Sequence, residues 1–265
     1  FCMMKNKDVE LHIRRRNPKT GKETMRIYRN NCDEIAERVP VANLRYENCT
    51  IFRWGNCVVL DTENCKIYNN SEAIAMASAK GKCRETLEKK GISVPVIVKN
   101  GTSDLFPVIA RPQTHAKGKN LIILDNQQEL SAFYNNHKDW YYAQFFKKER
   151  EIRCHVAFGK ILCVMEKPAP ENKNMVAWNK AQTHLNWSAV KWSEYPKEAC
   201  LQALKAVEAV GLDTGGVDVM IKGNEAKVLE INTAPTLIST EYTISRYAMF
   251  FDWVFNQTNP KHWDF

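Results

Sequence analysis

A predicted β-hairpin near the C-terminus carries acidic and amide side chains that a buried sheet does not need. It reads V-D-V-M-I-K-G-N-E-A-K-V-L-E-I-N. A three-residue loop, residues 223–225, pairs Lys222 with Ala226 and places Asp218 directly opposite Glu230. Two carboxylates that face each other at ~4 Å repel by about 4 kcal/mol at an intermediate dielectric. The pair therefore points to chemistry rather than to packing.

The hairpin divides into a polar and an apolar face, because side chains alternate along a strand. The polar face carries Asp218, Glu230 and Asn232. The apolar face consists of Val217, Val219, Leu229 and Ile231. A divalent cation would remove the repulsion, and oxygen ligands favour Mg²⁺ or Mn²⁺ over zinc. Since Mg²⁺ held by few protein ligands normally shares phosphate oxygens, the hairpin predicts a nucleotide site; the alternative is a solvated strand face.

A second stretch has the residues of a phosphate-binding loop. The chain contains neither G-x-x-x-x-G-K-[ST] nor G-x-G-x-x-G, but it does contain A-R-P-Q-T-H-A-K-G-K-N-L. This segment is a strand ending in Arg111, a polar loop with Lys117, Gly118 and Lys119, and a further strand. A loop with one glycine and several cations can cover phosphates with backbone N–H groups and charge.

Taken in order, six segments resemble the ATP-grasp superfamily of carboxylate–amine ligases over roughly residues 70–250. They are S-A-K-G-K-C-R-E-T-L-E-K-K-G-I-S-V-P, F-P-V-I-A-R-P-Q-T-H-A-K-G-K-N-L, A-Q-F-F-K-K, E-I-R-C-H-V-A-F-G-K-I-L, G-L-D-T-G-G-V-D-V-M-I and V-L-E-I-N-T-A-P-T-L. The chain looks most similar to short phage-encoded ATP-grasp proteins, with RimK-like ligases as better-known relatives.

The resemblance implies three groups of site residues. Asp218, Glu230 and Asn232 would hold one or two Mg²⁺ (or Mn²⁺) ions. Arg153, Lys167 and Asn232 would act in catalysis. The residues that would contact ATP come from a helix, a lid, a hinge and a long loop: Lys80, Arg111, His115, Lys117, Gly118, Lys119, Gln144, Phe145, Phe146 and Asn179.

Several of these positions depart from the family pattern or allow another interpretation. Arg111 stands where the lid strand usually supplies lysine, although its planar fork still suits phosphate. The hinge lacks the usual ribose-binding glutamate, and its phenylalanines either pack against adenine or belong to the core. Arg153 binds a substrate carboxylate or oxyanion, or it forms an ordinary ion pair with Glu149 or Glu151. His155 shares its strand face and is interpreted as structural.

The elements that position these residues predict an α+β chain. The resemblance implies an ATP-grasp fold, in which two α+β subdomains clamp ATP behind a small N-terminal α/β or β-rich lobe. We expect a basic lobe over 1–78, a lid subdomain over 79–143 and a metal-binding subdomain over 144–265. Helices are predicted over 72–90, 125–136 and 196–210, and a C-terminal helix contains Tyr247, Phe250 and Trp253.

Charge and cysteine content limit the classes of partner and the cellular compartment that we expect for this protein. Most of the net charge of +8 lies in residues 1–100, which hold 19 Lys and Arg against 12 Asp and Glu, a surplus of seven. This surplus either recruits a polyanion or forms a solvated basic face, and the second interpretation is favoured. Nine cysteines without a C-x-x-C or zinc pattern indicate free thiols and a cytoplasmic protein, in the host cytoplasm if phage-encoded. No membrane-spanning stretch or signal peptide is expected.

The implied function is an ATP- and Mg²⁺-dependent carboxylate–amine ligase that works through an acylphosphate and releases ADP and phosphate. Its expected partners are small-molecule or peptide carboxylates and amines. Two alternatives stay open: a phosphotransferase acting on an alcohol, and a nucleotide-binding module without catalytic activity.

Overall fold

A computed structural model describes residues 9–16, 23–29, 38–40, 45–47, 50–55, 57, 61–113, 121–169, 187–235 and 241–256. The N-terminal strands are β1 (Val9–Arg16), β2 (Glu23–Arg29), β3 (Arg38–Pro40), β4 (Arg45–Glu47), β5 (Thr50–Trp54), β6 (Asp61–Glu63) and β7 (Lys66–Tyr68). Helices α1 (Ser71–Ser78) and α2 (Lys80–Lys89) follow. The next elements are β8 (Ile97–Val98), β9 (Val108–Arg111), β10 (Ile122–Leu124), α3 (Gln127–Asn136) and β11 (Tyr141–Gln144).

The C-terminal part contains the longest strands. Its elements are β12 (Arg150–Ala157), β13 (Lys160–Lys167), β14 (Ser188–Ala189), a 3₁₀ turn (Trp192–Glu194), α4 (Lys197–Ala209), β15 (Thr214–Lys222), β16 (Glu225–Asn232) and α5 (Glu241–Asn256). Within the described residues, no helix has both the length and the apolar character that crossing a bilayer requires.

The described strands form three larger sheets and a small pair. The N-terminal sheet has the order β3-β2-β1-β5-β7, and β4 pairs with β6. A four-stranded sheet has the order β10-β9-β11-β8. The sheet that we call the large sheet has the order β14-β13-β12-β15-β16, and each of its neighbouring pairs is antiparallel.

One face of the large sheet packs against helices and forms the main core. Side chains from α1, α2 and α4 meet apolar residues of β12, β15 and β16 there. A second cluster joins Phe52 of β5 and Leu162 of β13 to Tyr247 and Phe250 of α5. The predicted C-terminal helix is confirmed as α5, in which Tyr247 and Phe250 are buried, and the Trp253 side chain lies outside the described residues.

The predicted helix over 72–90 is interrupted in the structure. Ala79 leaves the helical conformation at φ −83° and ψ 80°, so α1 ends before it and α2 begins at Lys80. Gly81, in the first turn of α2, lies close to the segment that follows β9, since a Cβ there would lie 2.1 Å from Oε1 of Gln113. Helix propensity does not reveal this tertiary approach.

The other predicted helices are confirmed closely. α4 differs from the predicted 196–210 by one residue at each end. α3 begins at Gln127 rather than at 125, because the Asn126 side chain accepts a hydrogen bond from the Glu129 backbone N–H and caps the helix.

Candidate functional site

The hairpin of β15 and β16 pairs Asp218 with Glu230, as the sequence predicted, but its turn and its strand register differ from the prediction. The turn contains two residues, since Lys222 pairs with Glu225, and the register shifts by one residue between Asp218 and Val219. Leu229 is the extra residue of this β-bulge. Two departures from the predicted register, one at the turn and one at the bulge, thus cancel at the carboxylate pair.

The bulge changes which side chains of β16 enter the core. Val228 and Ile231 are buried in the main core, whereas Leu229 lies outside that cluster and is half-buried. The predicted inward placement of Leu229 is therefore wrong. Val228 and Ile231 share a face although they are three residues apart, because the bulge adds one residue between them. Glu230 consequently lies on the same face as Asp218.

Asp218 is almost fully buried and is bound by two cations. Arg153 donates Nε–H to one carboxylate oxygen at 2.6 Å and Nη2–H to the other at 3.0 Å. Lys167 donates to Asp218 Oδ2 at 2.8 Å. Burial alone would raise the pKa of Asp218, but the charges of Arg153 and Lys167 outweigh it and hold this pKa well below its usual range.

The charge network continues through Glu151, which the sequence analysis did not place in the site. This carboxylate accepts hydrogen bonds from both Lys167 and Lys148, and it is 2% exposed. Burial would raise the pKa of Glu151, whereas the two lysines lower it, and their effect is the larger. Asp218 and Glu151 in turn raise the pKa of Lys167 against the effect of its burial.

Glu230 and Asn232 complete the polar face of the hairpin. Glu230 forms an ion pair with Lys80, the first residue of α2, and both side chains are partly exposed. Asn232 pairs with Gly216 in the sheet, and its Nδ2–H donates to the Gly216 carbonyl at 3.4 Å. This hydrogen bond leaves the amide oxygen Oδ1 as the acceptor atom of that side chain.

The ion pairs change the argument about repulsion. Arg153 and Lys167 balance Asp218, and Lys80 balances Glu230, so like-charge repulsion does not by itself demand a metal ion. Among the described residues, no group of three or more His, Cys, Asp and Glu side chains is arranged to hold a metal. The candidate donor set is two carboxylates and one amide, which matches a hard cation that takes its remaining ligands from phosphate or water.

An aromatic side chain covers the two cations that bind Asp218. Trp187 is 7% exposed, with the guanidinium of Arg153 4.7 Å and the ammonium of Lys167 4.8 Å from its ring centroid. The face of an indole attracts cations without neutralising them. Trp187 thus stabilises both charges inside the protein while their N–H groups keep bonding Asp218.

Arg111 of β9 has a buried atom that the described part of the protein does not satisfy. Its Nε–H is inaccessible to solvent and has no hydrogen-bond partner among the described residues. A buried donor without a partner is costly, and a phosphate oxygen is the kind of acceptor that an arginine fork suits.

The predicted hinge borders an open cleft of about 520 Å³. Gln144 N–H donates to the Val96 carbonyl, and Phe145 N–H donates to the Pro107 carbonyl. Gln144 and Phe145 are half-buried. Phe146 is 8% exposed, with the ammonium of Lys227 5.1 Å from its ring centroid. All three hinge residues line the cleft, which has apolar and cationic walls.

His155 is buried and uncharged, in agreement with its interpretation as structural. Its Nδ1 lies 2.7 Å from the Tyr247 hydroxyl, and its Nε2 has no partner among the described residues. Burial and the neighbouring Arg153 lower the pKa of His155 to about 3. The alternative pairing of Arg153 with Glu149 or Glu151 is not the arrangement found, since the described ion pair of Arg153 is with Asp218.

The structure therefore brings Lys80, Arg153, Lys167, Asp218, Glu230 and Asn232 to the polar face of β12, β13, β15 and β16. His115, Lys117, Gly118, Lys119 and Asn179 lie outside the described residues. Of the residues that the sequence analysis missed, Glu151 carried a signal, since it lies two positions before Arg153 and shares its strand face. Trp187 carried none, because its contacts join segments distant in the chain.

Comparison with known proteins identifies the family. The model of the RimK-like ATP-grasp domain matches residues 63–248, which is more than half of the chain. A protein of Legionella pneumophila named probable alpha-L-glutamate ligase is 27% identical over 210 residues, covering 72% of this chain and 68% of the relative. A protein of Hahella chejuensis, named probable alpha-L-glutamate ligase 2, is 28% identical over 210 residues, covering 72% of this chain and 67% of the relative.

Solved structures share the fold at low sequence identity. A RiPP-associated ATP-grasp ligase of Chryseobacterium gregarium, in complex with ADP and a leader and core peptide, superposes with a TM-score of 0.58 at 11% identity, covering 93% of this chain and 85% of that one. The D-alanine–D-alanine ligase of Bacillus anthracis gives a TM-score of 0.51 at 18% identity, covering 72% and 70%. The chain has the ATP-grasp fold, is an ATP-dependent carbon–nitrogen ligase, and belongs to the family of RimK-like ATP-grasp domains.

Proposed function

We propose that the protein joins a carboxylate to an amine through an acylphosphate and releases ADP and inorganic phosphate. The observation that carries the proposal is the convergence of cations on the polar face of the hairpin. Arg153 and Lys167 meet at Asp218. Lys80 of α2 meets Glu230, which lies directly across the two strands from Asp218. Phosphoryl transfer is limited by positioning and by charge repulsion, which such cations reduce.

The hinge cleft and the lid strand fit ATP. The cleft offers aromatic walls against which the adenine base can pack. Hydrogen bonds from two backbone N–H groups of the hinge to carbonyls of neighbouring segments hold the hinge in position. The Nε–H of Arg111, which has no partner among the described residues, is a suitable donor for a phosphate oxygen. We assign ATP contacts to Lys80, Arg111 and the hinge residues 144–146, and retain His115, Lys117, Gly118, Lys119 and Asn179 as predicted contacts.

The polar face of the hairpin also fits Mg²⁺. Glu230 and Asn232 lie two residues apart on the same strand face, and Asp218 lies across from Glu230. These three residues would hold Mg²⁺ or Mn²⁺ after Asp218 loosens its bonds to Arg153 and Lys167. When bound, such an ion neutralises phosphate charge and orients the γ-phosphoryl group.

The protein's own residues then have separate tasks. Arg153 binds the substrate carboxylate through its planar fork, and Lys167 stabilises the negative charge that develops beside it. The carboxylate oxygen bonds to the γ-phosphorus while the bond to the β-phosphate oxygen breaks, and ADP leaves. The amine nitrogen then bonds to the acyl carbon, phosphate leaves with the acyl C–O electrons, and a proton passes from nitrogen to solvent. Trp187 excludes water from the cations on one side.

The names of the relatives indicate which substrates to test first. Two are called probable alpha-L-glutamate ligases, so glutamate is the first candidate for the amine or the carboxylate. The complex of the Chryseobacterium gregarium ligase with a leader and core peptide makes a peptide carboxylate the second candidate.

The deciding experiment identifies the products of ATP and the trapped intermediate. The protein is incubated with ATP, Mg²⁺, glutamate and acidic peptides, and nucleotides are separated by liquid chromatography. We expect ADP and phosphate, together with a hydroxamate when hydroxylamine is added. AMP with pyrophosphate would contradict the mechanism. ADP without a hydroxamate would favour phosphorylation of an alcohol, and bound but unconsumed ATP would favour a non-catalytic module.

A further inference from the structure

Arg84 joins three elements around the candidate site although it contacts none of the residues assigned to catalysis. It lies one helical turn after Lys80 in α2, is 8% exposed, and donates Nη2–H to the Leu229 carbonyl at 3.1 Å. Its guanidinium also lies 5.1 Å from the ring centroid of Tyr141 in β11. Buried arginines are rare without a specific partner, so these contacts require an explanation.

The hydrogen bond falls on the bulged residue of β16. Val228 pairs with Val219 and Glu230 pairs with Asp218, so Leu229 has no partner in β15. A bulge disrupts the ladder and leaves the extra residue unpaired, and a buried backbone group without a partner is costly. Arg84 gives the carbonyl of this unpaired residue a hydrogen bond.

The bulge determines which way Glu230 faces. Val228 is buried in the main core, and in a regular strand the residue two positions later would share its face. Without the extra residue, Glu230 would therefore turn toward the core and Ile231 toward the polar face. A one-residue change of register moves every later side chain to the other face. The bulge is thus the feature that puts Glu230 beside Asp218.

We propose that Arg84 is a positioning residue that holds the bulge at Leu229 and thereby directs Glu230 toward the bound cation and nucleotide. Helix α2 then acts on β16 at two adjacent points: Lys80 contacts the Glu230 side chain, and Arg84 contacts the preceding carbonyl. Residues four apart on a helix lie on the same face, which makes both contacts compatible. This inference rests on the proposed function, because it concerns the metal role of Glu230.

Arg84 also links this segment to the strand that precedes the hinge. Tyr141, on which its guanidinium stacks, pairs directly with Arg111 of β9 in the sheet. The same side chain therefore holds the Glu230 segment against the sheet that carries the proposed phosphate contact. Loss of the stacking alone, with the hydrogen bond kept, should have the smaller effect on metal binding.

The test measures nucleotide binding with and without metal. Isothermal titration calorimetry with the β,γ-imido analogue of ATP is performed on the full chain, once with MgCl₂ and once with EDTA. Three variants are compared with the wild type: Arg84→Met, Arg84→Lys and the control Arg150→Met. Arg150 forms a two-hydrogen-bond pair with Glu166 away from the bulge, so its loss tests the general effect of removing an arginine.

We expect the factor by which Mg²⁺ increases the affinity for the ATP analogue to be at least tenfold smaller in Arg84→Met than in the wild type. The affinity of this variant without metal should stay within about twofold of the wild-type value. Arg84→Lys, whose ammonium can still donate to the carbonyl, should keep most of the gain, and Arg150→Met should keep all of it. An unchanged gain in folded Arg84→Met would overturn the inference. Equal loss with and without Mg²⁺ would do the same, since it would indicate a purely structural role.

Two further results separate this inference from the proposed function. If Arg84→Met does not fold, Arg84→Lys decides: a folded lysine variant that loses the whole Mg²⁺ gain contradicts the role of the hydrogen bond, and one that keeps the gain supports it. If the wild-type protein itself gains no affinity from Mg²⁺, the metal assignment of the proposed function fails, and the inference fails with it.

Discussion

The buried carboxylate of Glu151 should contribute strongly to the free energy of unfolding. This contribution can be compared with that of a more exposed ion pair in the same sheet. Glu151→Gln keeps the shape but removes the charge that balances Lys148 and Lys167. The side chains of Glu151 and Lys167 are 3% and 2% exposed, so solvent screens the pair little. Removing one partner of a buried ion pair costs roughly 3–5 kcal/mol, and we expect a loss in that range at pH 7.

Glu166→Gln is the matched control. Glu166 accepts two hydrogen bonds from Arg150 at 2.7 Å, but these side chains are 28% and 41% exposed. Solvent-exposed pairs contribute at most about 1 kcal/mol. The two glutamates lie on the paired strands β12 and β13, so their substitutions differ mainly in burial.

The measurement is urea unfolding of wild type and both variants at pH 7 and at lower pH. Because the folded pKa of Glu151 is lowered, its contribution is fully present above the unfolded pKa, about 4.3, and disappears as pH falls through the folded value. The gap between wild type and Glu151→Gln should therefore shrink below about pH 4. The reasoning is refuted if Glu151→Gln loses no more stability than Glu166→Gln at pH 7.

Two other predictions concern the metal face and the buried histidine. Glu230→Gln should abolish Mg²⁺-dependent ATP turnover while changing the unfolding midpoint little, because this side chain is 22% exposed and pairs only with Lys80 among the described residues; near-normal turnover measured by ADP release would contradict the metal assignment. His155→Leu should reduce the loss of stability on acidification. The folded pKa of about 3 lies below the unfolded value of about 6.5. Wild type therefore loses stability as pH falls below 6.5, and identical pH profiles of the two proteins would show that His155 does not titrate in this way.

Local pattern was sufficient for much of the fold and for the central pair of carboxylates. Alternation of apolar and polar residues placed Asp218 and Glu230 on one face, and helical periodicity located α4 to within one residue at each end. The bulge at Leu229 has no local signature. The two-residue turn does have one, since Gly223 adopts a positive φ of 54° and Gly-Asn favours short hairpin loops.

Contacts distant in the chain explain what the sequence did not reveal. Arg153 and Lys167 reach Asp218 across 65 and 51 residues, and no spacing rule connects them. The approach of Gly81 to Gln113, two residues after the interruption at Ala79, likewise joins segments that are distant in the chain. A repelling pair of carboxylates predicts that cations lie nearby, but it does not tell whether these are metal ions or basic side chains.

The charge balance of this network argues that the site is prepared for an anion. Within the part of the chain that the structure describes, its three carboxylates belong to Glu151, Asp218 and Glu230, and its four cations belong to Lys80, Lys148, Arg153 and Lys167. One positive charge is therefore in excess before any ligand binds. Buried charges without a partner are expensive, so the carboxylates keep the basic side chains charged and ordered in the protein interior. A phosphate or a substrate carboxylate then meets basic side chains that are already charged and positioned, although the bonds of Arg153 and Lys167 to Asp218 have to loosen before these two side chains can bind it.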